Sequence, residues 1–151
     1  EAAERLALEE RSVLEITFED ELSQEGIGRV GILPECMTLR ECASYVKEPF
    51  DLDTVKVFGE EDRKVRKAAV VPGAGKDYIR QAVRAGADVY ITGDIGHHDG
   101  IDALEQGLTI IDAGHFGVEQ IFVPYMKEFL SRELPSLHLL SARQQEPFWY
   151  E

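Results

Sequence analysis

Hydrophobic and polar residues alternate along this chain at two different periods. Alternation at every second position, or a short apolar run bounded by glycine, proline or charged residues, is typical of β-strands. This pattern predicts strands at residues 12–18, 26–33, 54–58, 68–71, 89–92, 108–111 and 136–140. The glycines within 26–33 indicate a bulge or a close backbone approach in that strand.

Apolar residues spaced three and four positions apart predict helices between several of these strands. The predicted helices cover residues 1–9, 38–47, 77–85, 100–106 and 115–130. Thr38 and Glu41 match a capping box at the start of the second helix, and Pro49 is expected to close it. The last helix is predicted as one long element, because its apolar residues keep the helical period from Val118 to Phe129.

From residue 67 onward, strands and helices alternate regularly. Such alternation predicts an α/β fold with a layered, mostly parallel sheet and flanking helices. A charged turn divides the chain into a middle segment, residues 1–62, which packs on a C-terminal α/β lobe, residues 63–151. Ligands collect at the carboxyl edge of such sheets, so the side chains that follow strands 89–92 and 108–111 are the first candidates for a site.

Composition and charge argue against several classes of function. The chain has 151 residues, 44% of them hydrophobic, and a net charge of −13. Nucleic-acid binding depends on basic residues that neutralise phosphate, so this balance argues against it. No apolar run approaches the ~18 residues of a membrane span, and the acidic first residues do not form a signal peptide. Those residues are typical of a helix joined in mid-course, so we expect an upstream part.

The two cysteines bear on the compartment. Cys36 and Cys42 lack the CxxC spacing of a zinc or redox pair. A disulfide and two buried thiols are the alternatives, and the intracellular character of the chain favours the thiols. We expect a cytoplasmic protein.

His115 and Glu119 form the first candidate site. They lie four residues apart at the start of the last predicted helix, so both side chains project from one face. A histidine nitrogen and a carboxylate oxygen placed in this way supply half of a ligand set suited to Zn, Mn or Fe. The structural alternative puts His115 near the helix N-cap and Glu119 in contact with the helix dipole.

A second candidate group follows the strand at 89–92. The segment GDIGHHD, residues 93–99, predicts a glycine-flanked loop in which His97 and His98 both turn toward one cavity. Either histidine then ligates a metal, orients a ligand or acts as a general acid or base, and both are our candidate catalytic residues. The alternative is a polar loop with one satisfied and one exposed histidine. Two histidine–acid groups at adjacent strand ends strengthen the metal hypothesis.

A glycine-rich turn, PGAGKD at residues 72–77, opens the helix at 77–85. Its backbone N–H groups suit an anion, but the frame of a P-loop is missing. A tight turn between strand and helix is therefore favoured over a phosphate contact.

These residues carry a resemblance to a known family. The stretch ADVYITGDIGHHDGIDALEQGLTIIDAGHFGVEQ closely resembles the C-terminal signature of the NGG-one-interacting-factor-three-like family. That family is also catalogued as GTP cyclohydrolase type 2 homologues and as dinuclear-metal-centre hexameric proteins. The upstream stretches PECMTLRECASYVKE and VVPGAGKDYIRQAVRAGAD are similar to the family's middle stretch and glycine-rich turn.

The resemblance implies a two-lobed fold, of which this chain is one lobe, with a two-metal centre between the lobes and a toroidal homohexamer. It places His115 and Glu119 on the two C-terminal metal ligands and His98 on a position that lines the site, with Asp94 and His97 beside it. The other ligands of the family come from an N-terminal lobe with a His-His-Pro block, which this sequence does not contain. We therefore expect two divalent metal ions in the intact protein and an incomplete centre here.

The function implied by the resemblance is that of a metal-dependent, hydrolase-like protein, of which this chain is a fragment. In it, metal-activated water would act on a nucleotide-like substrate. The alternatives are a non-enzymatic metal-containing scaffold or regulatory protein, and an α/β binding module whose histidines are structural. The expected partners are further copies of the chain and a small, nucleotide-like molecule, without membrane or nucleic acid. The aromatic tail at residues 147–150 is expected to fold back on the body or to pack against another subunit.

Overall fold

The computed structural model describes residues 1–146 and 148–149. Its strands are β1 (Glu9–Glu19), β2 (Gln24–Thr38), β3 (Lys56–Phe58), β4 (Lys64–Ala74), β5 (Val89–Gly93) and β6 (Thr109–Asp112). Its helices are α1 (Ala2–Arg5), α2 (Leu39–Phe50), α3 (Ile79–Arg84), α4 (His97–Glu105), α5 (His115–Glu119) and α6 (Phe122–Glu133), with a 3-10 turn at Lys76–Tyr78 before α3. Over the described residues, no helix has the length and apolar character needed to cross a membrane.

The strands form one sheet in the order β1-β2-β4-β5-β6-β3. The predicted α/β class with flanking helices is confirmed, but the sheet is mixed rather than mostly parallel. Strands β4, β5 and β6 run parallel, whereas β1 with β2, β2 with β4, and β3 with β6 are antiparallel. The first of these antiparallel pairs follows from the tight turn between β1 and β2, in which Asp20 accepts hydrogen bonds from the backbone of Leu22 and Ser23. A connection this short joins only antiparallel strands.

Apolar side chains cover both faces of the central strands. Because successive residues of a strand point to opposite faces, Val70 packs with one cluster and Val71 with the other. Helices α1, α2 and α5 cover the first face, and α3 and α4 cover the second. This three-layer arrangement fixes where β4, β5 and β6 end, and their carboxyl ends meet at one edge of the sheet.

The predicted helix over 115–130 is two helices, so that prediction was wrong in its length. Helix α5 ends at Glu119, and α6 begins at Phe122. Pro124 explains the break, because proline has no N–H to donate to the carbonyl of Gln120 and its ring crowds that carbonyl. Helix α6 buries none of its residues, so its periodic apolar stripe lies at the surface.

Other predicted elements also differ from the structure. The predicted helix over 1–9 ends at Arg5, and residue 9 already belongs to β1. Helix α2 continues through Pro49, because the ring fits a helical φ in the last turn and the next residue, Phe50, is buried. Helix α4 begins at His97, earlier than predicted. Residues 136–140 form no strand within the described chain, and their apolar side chains Leu137 and Leu140 are exposed.

Both predicted parts of the chain contribute to the same sheet. Strands β1, β2 and β3 come from residues 1–62 and pair with β4 and β6 of the C-terminal part. The division at residue 62 stays a prediction. Cys36 and Cys42 are free thiols, as favoured, but only Cys42 is buried, and this burial raises its pKa to about 12.

Candidate metal site

The site forms where the parallel strands β5 and β6 end side by side. Asp94 follows β5 directly, and α5 begins with His115 shortly after β6. The end of β5 packs closely against the start of α5. A Cβ on Gly93 would lie only 2.5 Å from the backbone nitrogen of His115. Only glycine permits this approach, which brings the two neighbouring strand ends into one cluster.

His115 and Glu119 project from one face of α5, as their spacing predicts. The Nε2 atom of His115 lies 3.1 Å from Oε2 of Glu119. Two ligands about 2.0–2.2 Å from a tetrahedral zinc ion lie ~3.4 Å apart, so the pair fits one cation without a large movement. The side chains are 48% and 51% exposed, so an ion can reach them from solvent.

The other ring nitrogen of His115 contacts a second carboxylate. Nδ1 of His115 lies 2.8 Å from Oδ2 of Asp94, whose backbone has a left-handed φ of 58°. This hydrogen bond, with the nearby charge of Glu119, raises the pKa of His115 above its usual value of 6.5. The imidazolium form is favoured because both of its N–H groups then have a carboxylate acceptor.

The raised pKa of His115 gives a pH prediction. Stability from these contacts is present below pH ~6.5 and is lost as the pH rises through the higher pKa of the folded protein. Titration of His115 by NMR should therefore give a midpoint above 6.5, and Asp94→Asn should lower it more than Glu119→Gln. Asp102→Asn removes a charge from α4 and should leave the midpoint unchanged. A wild-type midpoint at or below 6.5 would contradict the observed contacts.

The glycine-rich turn packs against His115 and Glu119. Gly73, near the end of β4, has a φ of +76°, and a Cβ there would lie 2.5 Å from Oε1 of Glu119. Thr92 and Tyr90 donate hydrogen bonds to the carbonyls of Gly73 and Gly75, which fixes the turn. The turn is thus a tight connection, as favoured, and its glycine makes room for the Glu119 carboxylate.

Asp112, the last residue of β6, binds the backbone on both sides of the cluster formed by Asp94, His115 and Glu119. It is 6% exposed, and its Oδ2 accepts hydrogen bonds from the backbone N–H of Ile95 at 3.0 Å and from Nζ of Lys56 at 2.8 Å. Its Oδ1 accepts one from the backbone N–H of Gly114 at 3.1 Å. One carboxylate therefore fixes the segments that carry both Asp94 and His115.

An open cleft of about 1560 Å³ lies beside the pair. It is lined by residues from α5, α6, β2, β3 and the segments before β3 and after β5, among them His115, Glu119, Asp94, Lys56, Arg29 and Tyr125. Phe148 lines the cleft, so this part of the tail folds back on the body, although Phe148 is 54% and Trp149 78% exposed. Residues 147 and 150 of the predicted tail lie outside the described residues.

The structure places His97 and His98 away from this cleft. They occupy the first turn of α4 rather than a loop, where both are exposed and their rings meet edge to face with centroids 5.4 Å apart. Neither lines the cleft. The two rings contact each other at the surface, so the predicted common cavity for them is not observed. Their catalytic role stays a prediction.

The cluster supplies part of a metal shell. Asp94 and Glu119 contact opposite nitrogens of His115, so the three groups do not converge on one point. Among the described residues, no group of three or more His, Cys, Asp or Glu side chains is placed to hold a metal ion. His115 and Glu119 fit a cation as two ligands, and further ligands would come from water or from another segment.

Sequence reasoning missed two contributors to the site. Lys56 reaches Asp112 through the antiparallel pairing of β3 with β6, and no local pattern signals that pairing. The contact of Asp94 with His115 had a signal that was not used, because both residues follow neighbouring parallel strands. Side chains in those two positions meet at the carboxyl edge.

The fold and site define a three-layer α/β lobe with a histidine–carboxylate pair at the carboxyl edge of its parallel strands. The model of the family described as Duf34/NIF3 (NGG1p interacting factor 3) matches residues 1–147. The chain belongs to this family.

Relatives and a solved structure agree with this assignment. The GTP cyclohydrolase 1 type 2 homolog of Bacillus subtilis is 44% identical over 115 residues, which are 76% of this chain and 30% of that protein. The homolog of the same name in Halalkalibacterium halodurans is 47% identical over 109 residues, 72% of this chain and 29% of that protein. The crystal structure of a Bacillus cereus protein related to NIF3 has a TM-score of 0.75 and 36% identity, and the match covers 89% of this chain and 38% of that one. The chain thus spans about three tenths of the length of these two curated relatives.

Proposed function

We propose that this chain is one lobe of a metal-dependent, hydrolase-like protein, in which His115 and Glu119 bind a divalent cation. The observation that carries the proposal is the 3.1 Å separation of Nε2 and Oε2 at the mouth of an open cleft. Zn, Mn and Fe all accept imidazole and carboxylate ligands, so the donor set suits any of them.

The residues of the chain have distinct parts in this proposal. A bound divalent cation supplies Lewis acidity, which activates water for attack. His115 provides a nitrogen ligand and Glu119 an oxygen ligand, while Gly73 leaves space for the Glu119 carboxylate. His97 and His98 are proposed to exchange protons with solvent from the start of α4.

We propose a nucleotide-like substrate for the cleft. The open cleft, with a volume of about 1560 Å³, leaves room for a molecule of nucleotide size. The lining holds two basic residues, Arg29 and Lys56, and seven acidic ones, so phosphate groups would bind through the proposed cation rather than through the side chains. The names of the relatives, GTP cyclohydrolase 1 type 2 homologs, are in keeping with this substrate class.

Zinc binding tests the proposed ligands. Calorimetric titration of the chain with Zn²⁺ should show weak binding, which His115→Ala and Glu119→Ala each lower by at least about tenfold, since each removes one of two protein ligands. His138→Ala, which changes an exposed histidine after α6, is the matched control and should bind as the wild type does. Tight, stoichiometric zinc in both alanine variants would reject the assignment. Firm binding of two ions is expected only in the longer protein.

A non-enzymatic, metal-containing oligomeric scaffold is the second candidate. The exposed apolar stripe of α6, which includes Phe122, Tyr125 and Phe129, favours association with further copies. Turnover of GTP that is absent in the two alanine variants would support the hydrolase. Metal binding without turnover of a panel of nucleotides and phosphoesters would favour the scaffold.

A further inference from the structure

We propose that Asp94 is a positioning residue for the cation pair: its carboxylate holds the proton of His115 on Nδ1 and so leaves Nε2 free to bind the cation. This inference rests on the proposed function. It follows from the two contacts of the imidazole, 2.8 Å from Nδ1 to Asp94 and 3.1 Å from Nε2 to Glu119.

A neutral imidazole cannot satisfy both carboxylates. It carries one N–H and one lone pair, so Asp94 and Glu119 compete for a single proton. The shorter contact, at 2.8 Å, favours the tautomer in which Nδ1–H donates to Asp94. The lone pair of Nε2 then faces the carboxylate oxygen of Glu119, and this arrangement is repulsive until a positive charge lies between the two atoms.

That positive charge is either a proton or a metal cation. At low pH a second proton bridges Nε2 and Glu119, and the ring becomes an imidazolium. At higher pH a divalent cation takes the place of that proton. Metal-binding histidines commonly donate their other N–H to a carboxylate, which fixes the ring and raises its basicity. The pair formed by His115 and Asp94 has this arrangement before any cation binds.

The backbone holds Asp94 in place for this contact. Asp94 has a left-handed φ of 58°, a conformation that aspartate tolerates better than most residues. Gly93 packs under the start of α5, and the N–H of Ile95 is bound by Asp112. With both neighbours fixed, the side chain of Asp94 leaves the chain beside the ring of His115. A strained backbone that presents a polar group to a cluster is typical of a functional position.

The tautomer of His115 can be read directly. Protein labelled with ¹⁵N-histidine, free of metal and at a pH where the ring is neutral, should show Nδ1–H at His115 in ¹H–¹⁵N spectra. The His115→Gln variant assigns the signal, because its spectrum lacks only the resonance of His115. Asp94→Gly tolerates the left-handed φ but has no carboxylate, and it should move the population toward Nε2–H. Asp94→Asn keeps an acceptor oxygen and should have a smaller effect, while Asp102→Asn should have none.

Two results would overturn the inference: a wild-type ring protonated mainly on Nε2, or an unchanged tautomer in Asp94→Gly. A thermal melt of each variant shows whether it is folded, and the tautomer of the wild-type ring alone decides the inference if Asp94→Gly unfolds. Neither result depends on metal.

Zinc titration separates this inference from the proposed function. Asp94→Asn should weaken zinc binding by ~10- to 100-fold, as the loss of a carboxylate behind a ligating histidine does elsewhere. A wild-type chain that binds no zinc rejects the proposed function, and the tautomer result still decides the role of Asp94. Equal zinc affinity in the wild type and Asp94→Asn rejects the positioning role while the ligand pair stands.

Discussion

Phe50→Ala is expected to lower the free energy of unfolding by about 3–5 kcal/mol, and Phe122→Ala to change it by less than about 0.5 kcal/mol. The two substitutions remove the same atoms from very different surroundings. Phe50 is 1% exposed and packs in the cluster between the sheet and α2, whereas Phe122 is 61% exposed at the start of α6. The backbone carbonyl of Phe50, which accepts a hydrogen bond from Gln120, is kept in the alanine variant.

Unfolding in urea, monitored by circular dichroism, measures the change in the free energy of unfolding for both variants. Phe50→Ala should remove a large fraction of the ~5–15 kcal/mol by which a domain of this kind is stable, so its midpoint should fall sharply. Phe122→Ala is the matched control, because it shortens an aromatic side chain in contact with solvent. A loss above about 2 kcal/mol at Phe122 would mean that another surface covers α6 in solution, as the scaffold alternative expects.

Asp112→Ala is expected to lower the free energy of unfolding by roughly 2–5 kcal/mol. The variant leaves the backbone N–H groups of Ile95 and Gly114 without their acceptor, and the first of these bonds is fully buried. It also removes the carboxylate that binds Lys56. The segments that carry Asp94 and His115 lose their common support, so zinc binding should weaken as well.

Asp112→Asn is the graded control for this experiment. The carboxamide keeps one oxygen that can accept from a backbone N–H, but its NH₂ group faces the other donors, so an intermediate loss is expected. Chemical unfolding of the three proteins gives the comparison. Equal stability of Asp112→Ala and the wild type would show that water satisfies both amides and that Asp112 does not support the site.

Elements with local signals were predicted well from the sequence. The apolar runs of β5 and β6 predicted buried parallel strands, and every residue of both strands is buried inside the sheet. The capping box of α2 is present, with the backbone N–H of Thr38 bound to Glu41 and the N–H of Glu41 bound to Thr38. These signals succeed because the interacting groups are neighbours in the chain.

Features that depend on distant pairing were not predicted. The antiparallel strands at both ends of the sheet follow from pairing between β2 and β4 and between β3 and β6, which no local pattern encodes. The apolar stripe of α6 has the period of a buried helix, but nothing in that period states whether a neighbour covers it. Pro124 was visible in the sequence, and its effect on the carbonyl of Gln120 was overlooked.

In the candidate site too, features with a local sequence signal were predicted and features that depend on distant pairing were not. The position of His115 and Glu119 on one face follows from their spacing alone, and the structure places their atoms 3.1 Å apart. The exposed position of His97 and His98 depends on whether α4 begins before or after them, which is a boundary that sequence patterns locate poorly. The support from Asp112 and Lys56 required the sheet order, so it became visible only in the structure.

The close approach of Gly93 to α5 has a consequence for how the site assembles during folding. Asp94, His115 and Glu119 all belong to one contiguous stretch of chain, and adjacent parallel strands bring them together. Their arrangement therefore forms when β5 pairs with β6 and is lost when that pair separates. An ion held there would selectively stabilise this unit against local opening and slow amide exchange in its two strands, while the distant hairpin of β1 and β2 would continue to exchange at its own rate.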